Sequence, residues 1–218
     1  MTNNHSELAA ATDALPRAAE HDARWKMTDI SRKILNFYSQ LEGDENHRYK
    51  SWEHCYAYFC KKDAELDAAC LHLAFYLASW GMYRGSSFLL WKDYLIHKEV
   101  VSHLLTKRNL QGLNPTEATE ENLTEIFKLL AWIKNWYQEN IEFVNGESRS
   151  VNVTDTLATK IILGSLGCIP AYDRYFIDGI RKTGLKYSGI KPANFRSLVQ
   201  YYKNNEAQFS SAANEILK

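Results

Sequence analysis

The chain has 218 residues, of which 45% are hydrophobic, 24% are charged, 10 are glycine and 4 are proline. This length and apolar fraction suit one large domain or two small ones, and they exclude collagen-like, disulfide-scaffold and wholly disordered chains. Lys plus Arg and Asp plus Glu both total 26, which excludes a uniformly basic coat, so any polyanion site must be local. The longest apolar run falls short of the ~20 residues of a membrane span, so we expect no membrane partner.

Cysteine usage and the amino end indicate a cytoplasmic protein with one folded domain. Cys55, Cys60, Cys70 and Cys168 lie in apolar helical patterns without framework spacing, and we expect reduced, buried thiols. Residues 1–24 lack the apolar middle of a secretory signal and are predicted to be a flexible leader. Residues 25–218 are predicted to form an all-helical catalytic domain. One arrangement that the pattern allows is two helical lobes with a cleft between them.

The first half of this domain has apolar residues at helical spacing almost everywhere. A first helix carries Ile30 and Tyr38, and a second begins at Ser51. The third, Ala64 to Trp80, is almost continuously apolar after Asp67, and a helix that is apolar on all sides is buried on all sides. We therefore expect it to be the central helix. After a break at residues 81–85, Ser86 or Ser87 is predicted to cap a helix running through residues 89–105.

The second half continues the helical pattern. Leu123 to Tyr137 form a long amphipathic stripe, and residues 145–153 are predicted to be loop or extended. Thr154 caps a helix that ends near Gly167, and Asp173 caps a short helix that stops at Gly184. Pro192 begins one more helix. The predicted fold class is an all-α, compact globule of about eight to ten helices.

Common sequence motifs for nucleotide, serine-hydrolase and metal chemistry are missing. The chain contains no GxxxxGK[ST], GxGxxG, GxSxG, HExxH or CxxC, which argues against a nucleotide-dependent motor or kinase. Its seven histidines include no close pair with metal-ligand spacing. We therefore expect neither a metal nor another cofactor.

The segment from Thr154 to Gly184 carries the most specific chemistry. A very short connection joins two helices, and Asp173 begins the second one. A carboxylate at this place faces free backbone amides and the positive helix end, which keep it ionised. Such a carboxylate can stabilise the oxocarbenium-like sugar that forms as a base leaves a nucleotide, or orient the attacking water. The alternative is that Asp173 is simply an N-cap.

This segment, TDTLATKIILGSLGCIPAYDRYFIDGIR, resembles the carboxyl half of the helix-hairpin-helix DNA glycosylases, which have the 8-oxoguanine glycosylase-like fold. Ile169, Pro170, Tyr172, Asp173 and Arg174 match the short proline turn and the catalytic aspartate that opens the next helix. More broadly, residues 28–205 resemble a bacterial branch of this superfamily, some of whose relatives are similar to anti-phage glycosylases.

The resemblance implies a DNA glycosylase that flips a damaged or modified base, including a phage-modified one, out of double-stranded DNA and leaves an abasic site. It implies a role in DNA repair or antiviral defence, and we expect a monomer. The catalytic residue would be Asp173. Lys160 is nearest to the Schiff-base lysine of bifunctional members, but it lies too close to Asp173 and too deep in its helix. Simple hydrolysis is therefore favoured, and the alternative for Lys160 is a lysine that snorkels from a partly buried face.

Further residues are candidates for holding the DNA or the flipped base. Trp80, Tyr83, Arg84 and Ser86 surround the glycine break, and an aromatic pocket suits a flipped base. The favoured alternative is that Trp80 and Tyr83 are core residues at a helix corner, with Arg84 bound to carbonyl oxygens. The other DNA- or base-binding candidates are Tyr172, Arg174, Arg149 and Thr154. The loop SRSVNVTDT lacks the hairpin glycines with which the superfamily holds a phosphate.

Charge gives these candidates modest support. Between Gly146 and Arg196 there are eight basic and four acidic residues, a local net charge of +4. Lys61, Lys62, Arg84, Lys107 and Arg108 are candidates to extend this basic patch. Such a patch could make a few phosphate contacts and bind DNA in a salt-sensitive way. The alternative is that the patch is simply a solvated face of a neutral protein.

Two other function classes remain open. Arg48 and His54 fit the loose spacing of all-helical ribonucleases that resemble the HEPN group, in which the pair acts on a 2′-hydroxyl and a phosphate. The main alternative hypothesis is that the chain is not an enzyme but a helical interaction or regulatory protein.

Overall fold

The all-α fold class is confirmed by the computed structural model, which describes residues 29–218. The predicted leader, residues 1–24, lies outside this range. Within it there are nine α-helices, three short 3-10 helices and one two-stranded hairpin. In chain order these are α1 (Asp29–Glu42), α2 (Lys50–Phe59), α3 (Leu66–Ser79), the 3-10 helices Phe88–Trp91 and Tyr94–His97, α4 (Lys98–Leu105), the 3-10 helix Arg108–Leu110, α5 (Glu120–Asn140), β1 (Phe143–Val144), β2 (Glu147–Ser148), α6 (Asp155–Leu166), α7 (Arg174–Lys182), α8 (Pro192–Asn204) and α9 (Glu206–Ile216).

The chain divides into two compact units. The smaller comprises, of the described residues, 29–40 together with Glu206–Lys218. In it, the Ser31 hydroxyl donates a hydrogen bond of 2.6 Å to the carbonyl oxygen of Gln208. The larger unit, Leu41–Asn205, contains the candidate site. The arrangement as two lobes with a cleft between them stays a prediction.

Helix α3 is the centre of the larger unit, as expected, and packs against α2, α4 and α6. Leu73, Tyr76 and Leu77 are fully buried on it. The expectation of burial on all sides was wrong, because Leu71 and Phe75 are 54% and 59% exposed. The packed neighbours do not cover these two apolar side chains, and continuous hydrophobicity alone did not show which side would stay open.

The predicted helix over residues 89–105 is broken into three elements. Its amino end is confirmed, because the Ser87 side chain accepts a hydrogen bond from the Leu89 amide. Asp93 then accepts from the Leu95 amide and starts a second short element, before α4 begins at Lys98. The carboxylate of Asp93 therefore competes with a continuous helix. Near the carboxyl end, α8 begins at Pro192 as predicted, whereas the separate helix α9 was not predicted.

A buried chain of polar side chains crosses the core of the larger unit. His97 is fully buried, with its Nε2 atom 2.9 Å from the Tyr83 hydroxyl and its Nδ1 atom 2.5 Å from the Tyr137 hydroxyl. Burial lowers the pKa of His97 to about 3. The ring is therefore neutral near pH 7, with one nitrogen donating and the other accepting.

The cysteine prediction is confirmed for three of the four residues. All four are free thiols, and Cys55, Cys70 and Cys168 are buried. Burial raises the pKa of Cys70 to about 11 and that of Cys168 to about 12, so both stay protonated near neutral pH. Cys60 is exposed, contrary to expectation, because it is the C-cap residue of α2 rather than part of its buried face.

Gly164 on α6 lies directly against the Tyr76 ring of α3, where there is no room for a side chain. A Cβ atom at Gly164 would lie 2.5 Å from Cε1 of the buried Tyr76 ring, so Gly164→Ala overpacks the core. We expect this change to lower the free energy of unfolding by about 1–3 kcal/mol in urea denaturation. The matched control is Gly179→Ala in α7, where a Cβ would meet nothing within 4 Å and stability should rise by under about 1 kcal/mol. A Gly164→Ala protein as stable as the wild type would contradict this packing.

Candidate functional site

The segment between α6 and α7 folds back along α6. Gly167 adopts a left-handed conformation (φ 65°) that ends the helix, and the chain then reverses. The Thr156 hydroxyl donates to the Tyr172 carbonyl oxygen (2.9 Å), and the Tyr172 amide donates to the Thr159 hydroxyl (2.9 Å). Two threonines one turn apart on α6 thus hold the returning chain, and they bring Asp173 beside Lys160.

Asp173 caps α7, as predicted. Its Oδ1 atom accepts a hydrogen bond of 3.0 Å from the Phe176 amide, while its Oδ2 atom lies 3.6 Å from the Nζ atom of Lys160. The side chain of Asp173 is 23% exposed, and that of Lys160 is 6% exposed. One oxygen is therefore fixed by the helix end, and the carboxylate still reaches the surface.

Lys160 is buried together with its charge, so the snorkelling interpretation was wrong. Its ammonium donates to the Trp80 carbonyl oxygen (3.0 Å) and lies 5.5 Å from the centroid of the Trp80 ring. Burial lowers the pKa of Lys160, and Asp173 opposes this shift by stabilising the cation. The positive charges of Arg84 and Arg48 also lower the pKa of Lys160.

Two buried polar atoms near this ion pair have no hydrogen-bond partner in the described part of the chain: the Tyr76 hydroxyl and the Trp80 Nε1 atom. Burial raises the pKa of Tyr76, and the charge of Asp173 adds to that increase. The Tyr76 ring also lies 5.2 Å from the Trp80 ring. Sequence reasoning missed Tyr76 as a site residue, because it stands within the continuous apolar run of α3.

The segment before α2 also reaches the site. The Tyr49 ring lies 5.0 Å from the Trp80 ring, and the Arg48 guanidinium donates to the Tyr49 hydroxyl (2.8 Å). Neither residue was predicted to join Asp173, since more than one hundred positions separate them and no local motif marks them. Arg48 of the predicted ribonuclease pair donates to Tyr49 and His54 is exposed on α2, so the pairing of these two residues stays a prediction.

A cavity of about 430 Å³ opens between residues 81–88 and residues 149–157. Arg84, Ser86, Arg149 and Thr154, four of the predicted binding residues, line it. The Thr154 hydroxyl also caps α6 by accepting from the Leu157 amide, as predicted. Trp80, Tyr83, Lys160 and Asp173 are not among its lining residues, so the structure brings four of the eight binding candidates together at the cavity, whereas the catalytic candidates lie outside its lining.

The other predicted binding residues are divided between core and surface. Tyr83 is bound to His97 through its hydroxyl, and Tyr172 is 3% exposed and packs against Phe176. Tyr172 therefore presents no face to a base, since the proline turn points it into the core. Arg174 is exposed, and its guanidinium lies 5.1 Å from the Tyr175 ring centroid.

Several side chains of the predicted basic patch are paired within the chain. Arg196 forms a two-pronged ion pair with Glu120, Arg181 pairs with Asp178, and Lys107 pairs with Glu125. Arg108 donates instead to the carbonyl oxygens of Phe59 and Lys61. The net positive charge of the patch is thus smaller than the residue count indicates. The arginines that line the cavity are therefore the stronger candidates for binding an anion.

Within residues 29–218, no group of three or more His, Cys, Asp or Glu side chains is placed to hold a metal ion. None of the helices in that range has the length and hydrophobicity needed to cross a membrane. No protein-family model matches the chain, and neither a curated protein nor a solved structure is significantly similar to it.

Proposed function

We propose that this protein is a cytoplasmic DNA N-glycosylase that hydrolyses the bond between deoxyribose and a damaged or modified base. The observation that carries the proposal is the Asp173 carboxylate, which is fixed by the amino end of α7 and by Lys160 yet remains partly exposed. Free thiols are in keeping with a reducing compartment. The flipped base would come from double-stranded DNA, damaged or phage-modified, so the biological role would be repair or antiviral defence.

In the proposed reaction, the C1′–N bond of the flipped nucleotide lengthens and positive charge develops on the sugar. The Asp173 carboxylate stabilises this charge and orients a water molecule toward C1′. The water oxygen bonds to C1′, the electron pair of the broken bond leaves with the base, and the water proton ends on the base. The products are a free base and an abasic site, so no oxidant or metal is required.

Lys160 is assigned a positioning role rather than a nucleophilic one. A Schiff base requires a free amine at the sugar, whereas the Lys160 Nζ atom is buried and bound to the Trp80 carbonyl oxygen. The ammonium instead holds Oδ2 of Asp173 at the correct angle. The Lys160 ammonium balances the negative charge on the buried oxygen of Asp173. Loss of this ammonium should therefore disturb the orientation of Asp173 more than the binding of DNA.

We therefore expect sodium borohydride to trap no covalent complex between the protein and DNA during base release. Lys160→Met should lower kcat about tenfold to a hundredfold with little change in KM, because the carboxylate loses its orienting partner. Lys128→Met on the exposed face of α5 is the matched control for a lost lysine charge. A trapped complex that disappears in Lys160→Met would show that Lys160 is a nucleophile.

The direct test of the proposal is the formation of abasic sites. End-labelled duplexes that each carry one modified or damaged base are incubated with the protein and then heated in alkali, which breaks the strand at every abasic site. We expect a break at the position of at least one modified base and none in the unmodified duplex. Matched RNA substrates test the ribonuclease alternative, which requires cleavage that is lost in His54→Ala and unaffected by changes at Asp173.

A helical interaction protein is the second candidate function, and exposed apolar side chains favour it. Leu71 and Phe75 on α3, with Leu90, Trp91 and Leu95 in the segment that follows, are each between 46% and 59% exposed. The Tyr94 hydroxyl donates to Asp67 and holds this segment against α3. Exposed apolar patches mark interaction sites. A protein that releases no base from any substrate and cleaves no RNA would favour this candidate.

A further inference from the structure

Two arginines, Arg84 and Arg149, line the cavity between residues 81–88 and 149–157. Arg84 comes from the break after α3, and Arg149 follows the β1–β2 hairpin, whose Asn145–Gly146 turn has both residues at positive φ. Within the described part of the chain, neither guanidinium forms a hydrogen bond or an ion pair. Arg84 packs over Gly81, where a Cβ atom would lie 3.2 Å from the Arg84 Nε atom. These arginines differ from Arg108, Arg181 and Arg196, which protein groups satisfy.

The remaining lining suits an anionic ligand with a planar ring. None of the described residues that line the cavity is acidic, and Ser86, Ser150 and Asn152 add hydrogen-bonding groups. Phe88 and Leu157 supply apolar surface. A volume of about 430 Å³ is far larger than an ion needs, and it lies within the range of sites for small organic ligands. The guanidinium fork matches phosphate oxygens in a two-pronged arrangement.

We propose that this cavity is a phosphate subsite in which Arg84 and Arg149 together bind the phosphate of a nucleotide. The choice of phosphate over carboxylate rests on the proposed function. The nucleotide has two sources, a residue within a DNA strand or a free deoxynucleoside monophosphate, and both offer the same group to the arginines.

The subsite adjoins the candidate catalytic pair through consecutive residues. Gly81 lines the cavity, and its neighbour Trp80 binds the Lys160 ammonium through its carbonyl oxygen. A phosphate held by Arg84 and Arg149 thus anchors the substrate next to α6, which carries Lys160, the ion-pair partner of Asp173. Binding at the subsite does not itself require the Asp173 carboxylate.

The test measures binding of a fluorescent DNA duplex by anisotropy, and binding of deoxynucleoside 5′-monophosphates, inorganic phosphate and acetate by calorimetry. In the Arg84→Gln/Arg149→Gln double variant, we expect the Kd for the ligand that binds to rise at least about tenfold. For the duplex, the slope of log affinity against log salt should fall by about one, as one phosphate contact is lost. Lys98→Gln/Lys128→Gln removes the same charge from exposed sites on α4 and α5, and should change Kd less than threefold.

The outcomes separate the subsite from the glycosylase activity. Duplex binding without monophosphate binding assigns the phosphate to the strand, and tight monophosphate binding assigns it to a free nucleotide; both support the subsite. Equal weakening by the arginine and lysine double variants, or acetate binding as tight as phosphate, would overturn it.

If phosphate binding depends on the arginines while no base is released, the proposed function fails and the subsite stands. Base release with unchanged kcat and KM in the arginine variant would leave the function and overturn the subsite.

Discussion

The Asp173→Asn protein is expected to release base about a thousandfold more slowly than the wild type. The amide keeps an oxygen that can accept from the Phe176 amide, so the cap of α7 and the fold are retained. What is lost is the negative charge that stabilises the developing positive charge on the sugar and orients the water. Removing one such electrostatic contribution typically costs a factor of about 10² to 10³, and the loss of the group that orients the water adds to this cost. The effect should fall on kcat, measured in single-turnover reactions on an end-labelled duplex.

Asp178→Asn is the matched control for this prediction. Asp178 lies on the same helix, is exposed and pairs with Arg181, so the variant loses an identical charge without touching Lys160. Its rate should stay within about threefold of the wild type, because exposed ion pairs contribute little. Circular dichroism should show the same helix content for both variants. If the Asp173→Asn protein retains a tenth or more of the wild-type rate, Asp173 is only the N-cap of α7 and has no catalytic role.

Acidification from pH 7 to pH 5 is expected to lower the free energy of unfolding by about 2 kcal/mol through His97 alone. In the folded protein, burial holds the pKa of His97 at about 3, whereas the unfolded chain has the ordinary value of 6.5. Below pH 6.5 the unfolded state therefore binds a proton that the folded state does not. Stability is present above that pH and is lost progressively as pH falls toward 3. Each unit costs about 1.4 kcal/mol, and pH 5 lies about 1.5 units below the unfolded pKa.

The measurement is urea denaturation at pH 7 and pH 5 for the wild type and for His97→Gln. The amide still offers a donor and an acceptor to Tyr83 and Tyr137 but does not titrate, so the loss between the two pH values should shrink by about 2 kcal/mol. His54→Gln is the control for the loss of a histidine, since His54 is exposed on α2. If His97→Gln shows the same loss as the wild type, His97 is not held neutral by the fold.

Local signals allowed much of α6, α7 and their connection to be predicted from the sequence. Thr154 and Asp173 act as caps through their own side chains and the next few amides, and Gly167 ends a helix in a conformation that suits glycine. These interactions span a few residues, so the residue types and spacing are sufficient. The same kind of signal at Asp93 was overlooked because the surrounding apolar pattern continues across it.

The surroundings of Asp173 could not be predicted, because tertiary packing determines them. Tyr76, Tyr49 and Arg48 reach the site from α3 and from the segment before α2, and nothing in their local sequence indicates a common position. The basic patch was overestimated for the same reason. Arg196 and Glu120 lie 76 positions apart, and only the fold reveals that they form an ion pair.

The most direct test of the account is mass analysis of the free bases released from a panel of damaged and phage-modified DNAs. Wild-type protein, Asp173→Asn and Asp178→Asn are incubated with each duplex, and the small-molecule fraction is analysed. We expect the wild type and Asp178→Asn to release the same modified base in amounts equal to the abasic sites formed, and Asp173→Asn to release about a thousandth as much at early times. Release of a base by all three proteins at equal rates, or no release by the wild type from any duplex in the panel, would contradict it.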